Sequence, residues 1–171
     1  MRSRGIVLAG LGILFLAGAA FAGEKGASVR TEGGEVNGVT TLILDGRFPD
    51  EGEPWNSDRC VWWEQAGVSL LIDLKQPKLV RDIHLQVDNN DRYDVDYSLD
   101  GIRYHNLFHI QEDHGEISDG MDTLSSEEGN PEYEPAIDFK PVKARFLRIR
   151  AVGGDDMYAV AEVDVVADPI P

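Results

Sequence analysis

The chain has 171 residues, a length that suits one domain, and its 31 acidic residues against 16 Lys and Arg give a formal net charge of −15 at pH 7. This charge disfavours nucleic acid and anionic membrane surfaces as partners, because binding to phosphate groups depends on Lys and Arg. It permits cation binding, although acidity also serves simply to keep an exported protein soluble. The single cysteine, Cys60, excludes an intrachain disulfide, and we interpret it as a small buried apolar side chain rather than a reactive thiol.

The first 22 residues have the pattern of a cleaved signal peptide. Arg2 and Arg4 precede an apolar run over 6–19, and Ala20 and Ala22 fit an A-x-A cleavage site. The alternative is a membrane anchor, but a span needs about 20 apolar residues and this run is shorter. We therefore predict an exported protein, periplasmic or extracellular, that begins at residue 23 and is not inserted in a membrane after cleavage.

The next segments alternate between polar loops and short apolar runs. Residues 23–38 are rich in Gly, Glu and Ser, which predicts a flexible lead-in to a domain over 39–167, with a short tail at 168–171. Within the domain the pattern predicts a helical turn or strand end at 40–44, a long polar loop at 47–59, a short strand at 61–63, and a strand at 68–74 that is apolar on both sides. Such a strand is typical of the centre of a sandwich.

Period-two alternation continues through the rest of the chain. After a turn at 76–78 it predicts strands at 79–88, 93–99, 102–110, 144–152 and 158–166, with Asp100-Gly101 closing a hairpin. The acidic, polar segment 111–135 is predicted to be the least structured part, either a functional loop or a disordered segment. Because no long helical periodicity follows the signal segment, the predicted fold class is all-β, an antiparallel sandwich or barrel.

The sequence contains no motif typical of an enzyme. The G-x-S-x-G, P-loop and H-E-x-x-H patterns are absent. Abundant carboxylates leave a glycosidase pair neither supported nor excluded by counting. The four histidines are interpreted as surface or loop residues rather than a metal site: His84, His105, His109 and His114. We therefore predict a non-catalytic protein.

Three stretches of the chain resemble the discoidin family, the coagulation factor type C domains of the galactose-binding-like fold. Residues 81–101 combine an alternating strand, the turn cluster DNND, an aromatic strand and S-x-D-G. The closing sequence ARFLRIRA…GGD…Y…AE over 144–162 and Asp45-Gly46 followed by Trp55 are also similar to that family. The resemblance covers about 40–166 and implies a single antiparallel jelly-roll β-sandwich that binds glycans, other polymers or proteins with loops at one end.

The candidate ligand-binding residues are aromatic, amide and charged side chains in or near these loops. Sugar rings stack their C–H faces on Trp and Tyr, and their hydroxyls need a few placed polar groups. We select Trp55, Arg59, Trp62, Asn89, Asn90, Asp91, Tyr93, Asp155, Asp156 and Tyr158. The resemblance implies that the DNND and GGDD loops converge at one end of the sandwich. Trp55, in a polar loop, is the best candidate for exposure. Adjacent Trp62 and Trp63 must face opposite ways in a strand, so at least one of them packs in the core.

The resemblance also implies a structural calcium between the early Asp-Gly loop and a glutamate in the last strand. Here those positions are Asp45 and Glu162, whose carboxylates would bind the cation together with main-chain carbonyls. The alternative is that Glu162 faces solvent and Asp45 makes a turn. The loop departs from the family pattern at Arg47, where a small polar ligand is usual, and Asp50 is a substitute ligand in the same loop.

Together these features predict an exported, non-catalytic recognition module that binds carbohydrate through loops at one end of a β-sandwich. Its partner would be a glycan or another cell-surface polymer. The alternative is a protein–protein or cell-surface attachment domain of the same fold, with the acidic segment 111–135 as its interface.

Overall fold

The computed structural model describes residues 26–117 and 119–170, so the predicted signal peptide lies outside the described residues. The described chain forms eight strands and two short 3₁₀ helices. The strands are β1 (Ser28–Glu32), β2 (Val61–Trp63), β3 (Ser69–Asp88), β4 (Arg92–Ser98), β5 (His105–Ile110), β6 (Met121–Ser125), β7 (Val142–Gly153) and β8 (Tyr158–Pro169), and the helices are Thr40–Leu44 and Pro135–Ile137. In this part of the chain no helix is long and apolar enough to span a membrane.

The strands pair antiparallel in two layers that share β3. Its first part, 69–73, pairs with β1 and β7, and the β7 side continues to β4 and β5. Its last part, 82–88, pairs with β6 and β8, and β8 continues to β2. These pairings confirm the predicted all-β, antiparallel jelly-roll sandwich. They also confirm the hairpin at Asp100-Gly101, which joins β4 to β5.

The predicted turn at 76–78 is wrong, because β3 runs through it as one strand of 20 residues. The register with β7 shifts between Asp73 and Lys78, and Lys75 has a φ of +68°. A bulge of this kind bends a strand without reversing it. Residues 78–80 consequently pair with both β7 and β8, so β3 carries the chain from one layer to the other.

The core lies between the two layers and is built by alternating apolar side chains. On β7, Leu147 and Ile149 are buried, whereas Arg148 and Arg150 lie on the outer face and pair with Asp96 on β4. Ile72 and Leu85 bury the matching faces of the two parts of β3. Removing such side chains from water stabilises the sandwich by about 1.5–3 kcal/mol each.

Two segments predicted to be poorly ordered contribute strands. The predicted flexible lead-in contains β1, which pairs residue by residue with Ser69–Asp73 of β3. The acidic segment 111–135 contains β6, whose Met121 and Leu124 are buried. β8 likewise continues to Pro169, inside the predicted tail. Expected flexibility is therefore contradicted for 28–32 and 121–125, because pairing with a neighbouring strand satisfies the backbone of a segment whose own composition is weakly β-forming.

The outer face of β3, β6 and β8 is also covered, by the loop over residues 45–60. Beneath this loop lies an apolar cluster separate from the main core. It comprises Cys60, Met121, Ala159 and Ala161, with Trp55 and Trp62 packed against it. Cys60 is fully buried, as predicted. His84 lies on the same face and is 2% exposed, so its interpretation as a surface residue is wrong. Its Nε2 lies 3.3 Å from Glu127 Oε2.

Candidate functional site

The DNND and GGDD loops converge at one end of the sandwich, as the resemblance implied. Asn90 Nδ2 donates to Asp155 Oδ2 at 3.1 Å, and the Asp155 main-chain N–H donates to Asp91 Oδ1 at 3.2 Å. Gly154, with a φ of +136°, makes this approach feasible, because a Cβ there would overlap the Asp91 carboxylate. We call this end, with loops 89–91 and 154–157, the loop end.

The long loop that carries Trp55 and Arg59 reaches the same end through main-chain hydrogen bonds. Gly52 N–H donates to Met121 O, and Met121 N–H donates to Glu53 O, both at 2.9 Å. Gly120, the residue before Met121, connects this loop to the DNND turn, because its carbonyl accepts the Asn89 N–H at 3.2 Å. Three chain segments that are distant in sequence therefore meet at the loop end.

Four of the predicted ligand residues are buried beneath the surface in this structure: Asn89, Asp91, Tyr93 and Tyr158 are at most 4% exposed. Tyr93 Oη accepts from the Ala159 N–H at 3.1 Å, and lies 3.2 Å from the Ala159 carbonyl. The rings of Tyr93 and Tyr158 meet edge to face at 6.2 Å. These side chains join β4 to β8 below the loops, because a buried aromatic hydroxyl is stabilised only with hydrogen-bond partners.

The three tryptophans divide between core and surface. Trp63 is 1% exposed and packs beside Tyr158 with ring centroids 6.0 Å apart. Trp62 points to the other side of β2 and is half-buried, which confirms that the two neighbours face opposite ways. Trp55 is also half-buried and meets Trp62 edge to face, with centroids 5.1 Å apart and planes at 83°. The indoles of Trp55 and Trp62 thus form one partly exposed aromatic ledge on the outer face.

Around this ledge the loop end presents polar groups to solvent. Arg59 is exposed, and its guanidinium pairs with Glu53 at 2.7 Å. Asp155 and Asp156 are exposed, and Asp156 Oδ1 accepts from the Tyr158 hydroxyl at 3.2 Å. Asn90 is half-buried, and its Oδ1 is a buried atom that has no hydrogen-bond partner among the described residues. We define the loop face as Trp55, Arg59, Asn90, Asp155 and Asp156.

Two carboxyl groups below the loop face are strongly perturbed. Desolvation by burial, together with the neighbouring charges of Asp155 and Asp119, raises the pKa of Asp88 to about 7. Burial also raises the pKa of Asp91 to about 7, against the opposing effect of the Asp155 N–H. Asp88 belongs to the DNND cluster but was not among the selected residues, because its position at the end of an alternating strand gives no sign of burial under loops. At neutral pH both groups are therefore near their titration midpoints.

The two residues predicted to hold calcium lie together. Glu162 is fully buried, so the alternative that it faces solvent is wrong, and its Oε2 accepts the N–H groups of Gly46 and Arg47 at 2.9 and 3.0 Å. Burial and the carboxylate of Asp45 raise the pKa of Glu162 to about 8. Gln86 lies opposite Glu162 in the β3–β8 register, and its buried Oε1 has no partner among the described residues.

These groups fit a cation in charge and in donor type, since hard cations prefer carboxylate and amide oxygens. The number of side-chain ligands, however, is too small to complete a cation's coordination shell. Within 26–117 and 119–170, no group of three His, Cys, Asp or Glu side chains is placed to hold a metal ion. The remaining ligands would therefore have to be carbonyl oxygens.

No protein-family model and no curated protein sequence matches the chain. Solved structures do match. CBM32-1 from a family 31 glycoside hydrolase of Clostridium perfringens aligns with a TM-score of 0.53 and 17% identity, over 85% of this chain and 97% of that one. CpGH89CBM32-5 of the same organism, in complex with GalNAc-β-1,3-galactose, gives 0.56 and 16% over 85% and 99%.

A third similar structure is the lectin domain of lectinolysin complexed with Lewis B antigen. It aligns with a TM-score of 0.61 and 14% identity, over 85% of this chain and 96% of that domain. At such identities the similarity establishes a common fold. The chain therefore has the galactose-binding-like β-sandwich fold of the family 32 carbohydrate-binding modules, as its resemblance to discoidin domains implied.

Proposed function

We propose that this protein is an exported, non-catalytic module that binds glycans through the loop face. The observation that carries the proposal is the meeting of three separate segments, 47–59, 89–91 and 154–157, at one end of the sandwich. Two proteins of the same fold are described in complex with glycans, one with GalNAc-β-1,3-galactose and one with Lewis B antigen, which supports a sugar as the ligand class.

The loop face offers the two kinds of contact that a sugar needs. The Trp55 indole, held by Trp62, provides an apolar surface for the C–H face of a ring. Sugar hydroxyls are good donors, and the exposed carboxylates of Asp155 and Asp156 are acceptors. Arg59 adds a donor on the same side of the loop end as Trp55.

The burial of the perturbed carboxyl groups supports binding over catalysis. A glycosidase needs two carboxyl groups that reach opposite sides of the scissile bond, about 5–10 Å apart in an open cleft. Asp88 and Asp91 have the raised pKa values, but they are 1% and 0% exposed under the loops. The exposed Asp155 is instead engaged with Asn90 and with the Met157 N–H.

The test is a fluorescence titration of the protein with a panel of neutral mono- and oligosaccharides. Tryptophan emission reports on the loop end directly, because Trp55 and Trp62 lie there. For a sugar that binds, Trp55→Ala is expected to lower the affinity roughly tenfold or more by loss of stacking. Asn90→Ala is expected to lower it several-fold, because the hydrogen bond that holds the Asp155 carboxylate is lost.

Ile102→Ala is the matched control, because Ile102 is 82% exposed at the opposite end of the sandwich. Its affinity should equal that of the wild type. If folded Trp55→Ala and Asn90→Ala variants bind the sugar as the wild type does, the loop face is not the site. If no glycan binds at all, the alternative of a protein-attachment domain replaces the proposal.

We also propose that Asp45 and Glu162 hold a structural calcium ion, with carbonyl oxygens of the 45–50 loop completing its shell. A bound divalent cation would offset the repulsion between the two carboxylates, which now raises the pKa of Glu162. It would tie the 45–60 loop to β8 and so support the position of Trp55.

Calcium added to chelator-treated protein is expected to raise the thermal unfolding midpoint, because a ligand of the native state stabilises it by mass action. Glu162→Gln should abolish that rise, whereas Glu128→Gln, an exposed glutamate in another loop, should retain it. An equal rise in Glu162→Gln, or none in the wild type, would contradict the site.

A further inference from the structure

A groove lined by charged and aromatic side chains lies at the end of the sandwich opposite the loop end. It has a volume of about 530 Å³ and lies between the turn after β4 and the start of β7. The side chains that matter in it are Tyr97, Leu99, Asp100, Arg103, His105 and Lys143. We call it the turn-end pocket. Its volume is in the range of small-ligand sites.

The pocket contains two cationic side chains that form no salt bridge with the described residues: Arg103 and Lys143. This differs from the neighbouring cations of β7, since Arg145 pairs with Asp73 and Arg148 and Arg150 pair with Asp96. The formal net charge of the whole chain is −15, so a pocket with two cations that form no salt bridge differs in charge from most of the protein. Such groups are available to an anionic ligand.

The turn that carries Arg103 is held rigidly by its own hydrogen bonds. Asp100 Oδ1 accepts the N–H groups of Ile102 and Arg103, both at 2.9 Å. Ser98 Oγ accepts the Gly101 N–H at 3.0 Å, and Gly101 has a φ of +71°. Because the backbone is already ordered, a ligand that binds Arg103 loses little free energy to ordering of the loop.

Asp100 is the acidic member of the pocket, and its negative charge is directed into the turn. The N–H groups of Arg103 and Ile102 lower the pKa of Asp100 to about 2, so it is ionised at neutral pH. Two cations therefore face one carboxylate that is already engaged by the backbone. The summed charge of Arg103, Lys143 and Asp100 is therefore positive.

The remaining wall of the pocket is aromatic and apolar. The rings of Tyr97 and His105 lie 5.6 Å apart with planes at 37°. Leu99, 53% exposed, forms part of the lining. An aromatic ring such as Tyr97 offers a face to the C–H face of a sugar ring, which a simple inorganic anion lacks.

We propose that the turn-end pocket is a second glycan site, specific for a sugar ring that bears an anionic group, a carboxylate or a sulfate ester. Arg103 and Lys143 bind the anionic group, and Tyr97 with His105 contacts the ring. The site is separate from the loop face, since β4 runs from Arg92 at the loop end to Ser98 beside this pocket. The protein would then bind two polymer segments, one at each end.

The test is calorimetric titration of the protein with an oligogalacturonate, a sulfated galacto-oligosaccharide and a neutral galacto-oligosaccharide of equal length. Arg103→Gln with Lys143→Gln is expected to lower the affinity for at least one anionic sugar tenfold or more. Trp55→Ala should leave that affinity unchanged, so failure of the loop-face proposal and failure of this one are distinguishable. The uronate and sulfate arms identify which anionic group is bound.

Arg47→Gln with Arg92→Gln is the matched control, because it removes two exposed cations away from this pocket, Arg92 at the loop end and Arg47 in the 45–60 loop. It should leave the affinity within about twofold, since long-range charge is screened by salt. The proposal is overturned if neither anionic sugar binds, if Arg103→Gln with Lys143→Gln weakens binding of the neutral sugar equally, or if the control loses as much affinity. Equal binding of an acidic peptide, with the same sensitivity to Arg103 and Lys143, would also overturn it as a sugar site.

Discussion

Two aspartates at opposite ends of β4 show how differently the two ends of the sandwich are built. Asp91 precedes the strand at the loop end, is fully buried, and has its pKa raised to about 7 by desolvation. Asp100 follows the strand at the turn end, is exposed, and has its pKa lowered to about 2 by the N–H groups of Arg103 and Ile102. Residue type and distance from the strand are similar, but the protonation equilibria shift in opposite directions.

The difference lies in where each carboxylate finds its partners. Asp100 is bonded by N–H groups two and three residues further on, so a short piece of chain suffices to hold it. Asp91 is bonded by Asp155, 64 residues away, and is pressed against Gly154. The turn end is thus stabilised locally, whereas the loop end depends on the packing of distant segments.

The largest effect on stability is expected from a substitution that breaks the long-range contact between Gly154 and Asp91 at the loop end. Gly154→Ala places a Cβ on the Asp91 carboxylate and strains a backbone at a φ of +136°. We expect it to lower the free energy of unfolding by about 3 kcal/mol or more, as measured by urea denaturation. Gly129→Ala is the control, because Gly129 also has a positive φ, +91°, but no atom lies within 4 Å of the added Cβ. Its cost should be only about 1 kcal/mol.

An equal cost in the two glycine variants would mean that backbone strain alone matters. The close packing of Gly154 against Asp91 would then contribute nothing to stability. The stability of the loop end would then not depend on contact between its loops, which would contradict the proposed difference between the two ends.

The second prediction concerns pH. Since Asp88 and Asp91 have pKa values of about 7 when folded, above the ordinary 3.8, the folded protein binds protons more tightly than the unfolded chain. Stability is therefore expected to fall as pH rises from about 4 to about 7, and Glu162 extends the fall towards about 8. Asp100 acts in the opposite sense, and its contribution is lost only as pH falls from about 4 to about 2.

Chemical denaturation in calcium-free buffer at about pH 5 and about pH 8 measures this dependence. Asp91→Asn should reduce the loss of stability between these values by roughly a third, because three buried carboxyl groups share it. Asp100→Asn should leave that difference unchanged. A steeper fall in Asp91→Asn than in the wild type would contradict the raised pKa of Asp91.

The smallest expected effect concerns the turn end. Ser98 is fully buried, and its hydroxyl accepts the N–H groups of Asp100 and Gly101. Ser98→Ala should lower the free energy of unfolding by about 1 kcal/mol, because the N–H of Asp100 has water as an alternative partner. Urea denaturation of Ser98→Ala and Gly154→Ala under the same conditions measures the two losses of unfolding free energy. A cost as large as that of Gly154→Ala would show that the turn end also depends on more than local bonds.

The same distinction explains which parts of the fold could be predicted. The strands of β4, β7 and β8 and the Asp100-Gly101 hairpin are visible as alternation and turn chemistry, both of which act over a few residues. β1 and β6 could not be found in this way, since they exist only as partners of β3. The long β3 was split at 76–78 because a bulge and a turn have the same composition.

The candidate site follows the same rule. The convergence of the loops, the opposite orientations of Trp62 and Trp63 and the closeness of Asp45 to Glu162 agree with expectation. The burial of Asp91, Tyr93 and Tyr158 does not, because polar residues in a turn cluster carry no local sign of being covered. The turn-end pocket was missed altogether, since Arg103 and Lys143 are 40 positions apart in the chain.

The sequence by itself therefore determined the all-β class, the alternating strands and the Asp100-Gly101 hairpin, because these depend on interactions within a few residues. Only the tertiary structure decided which polar groups are buried, which cations lack a partner and which loops share an end. Those properties depend on desolvation and on contacts between segments far apart in the chain. The carboxylates of Asp91 and Asp100, alike in sequence and opposite in pKa, are the clearest instance.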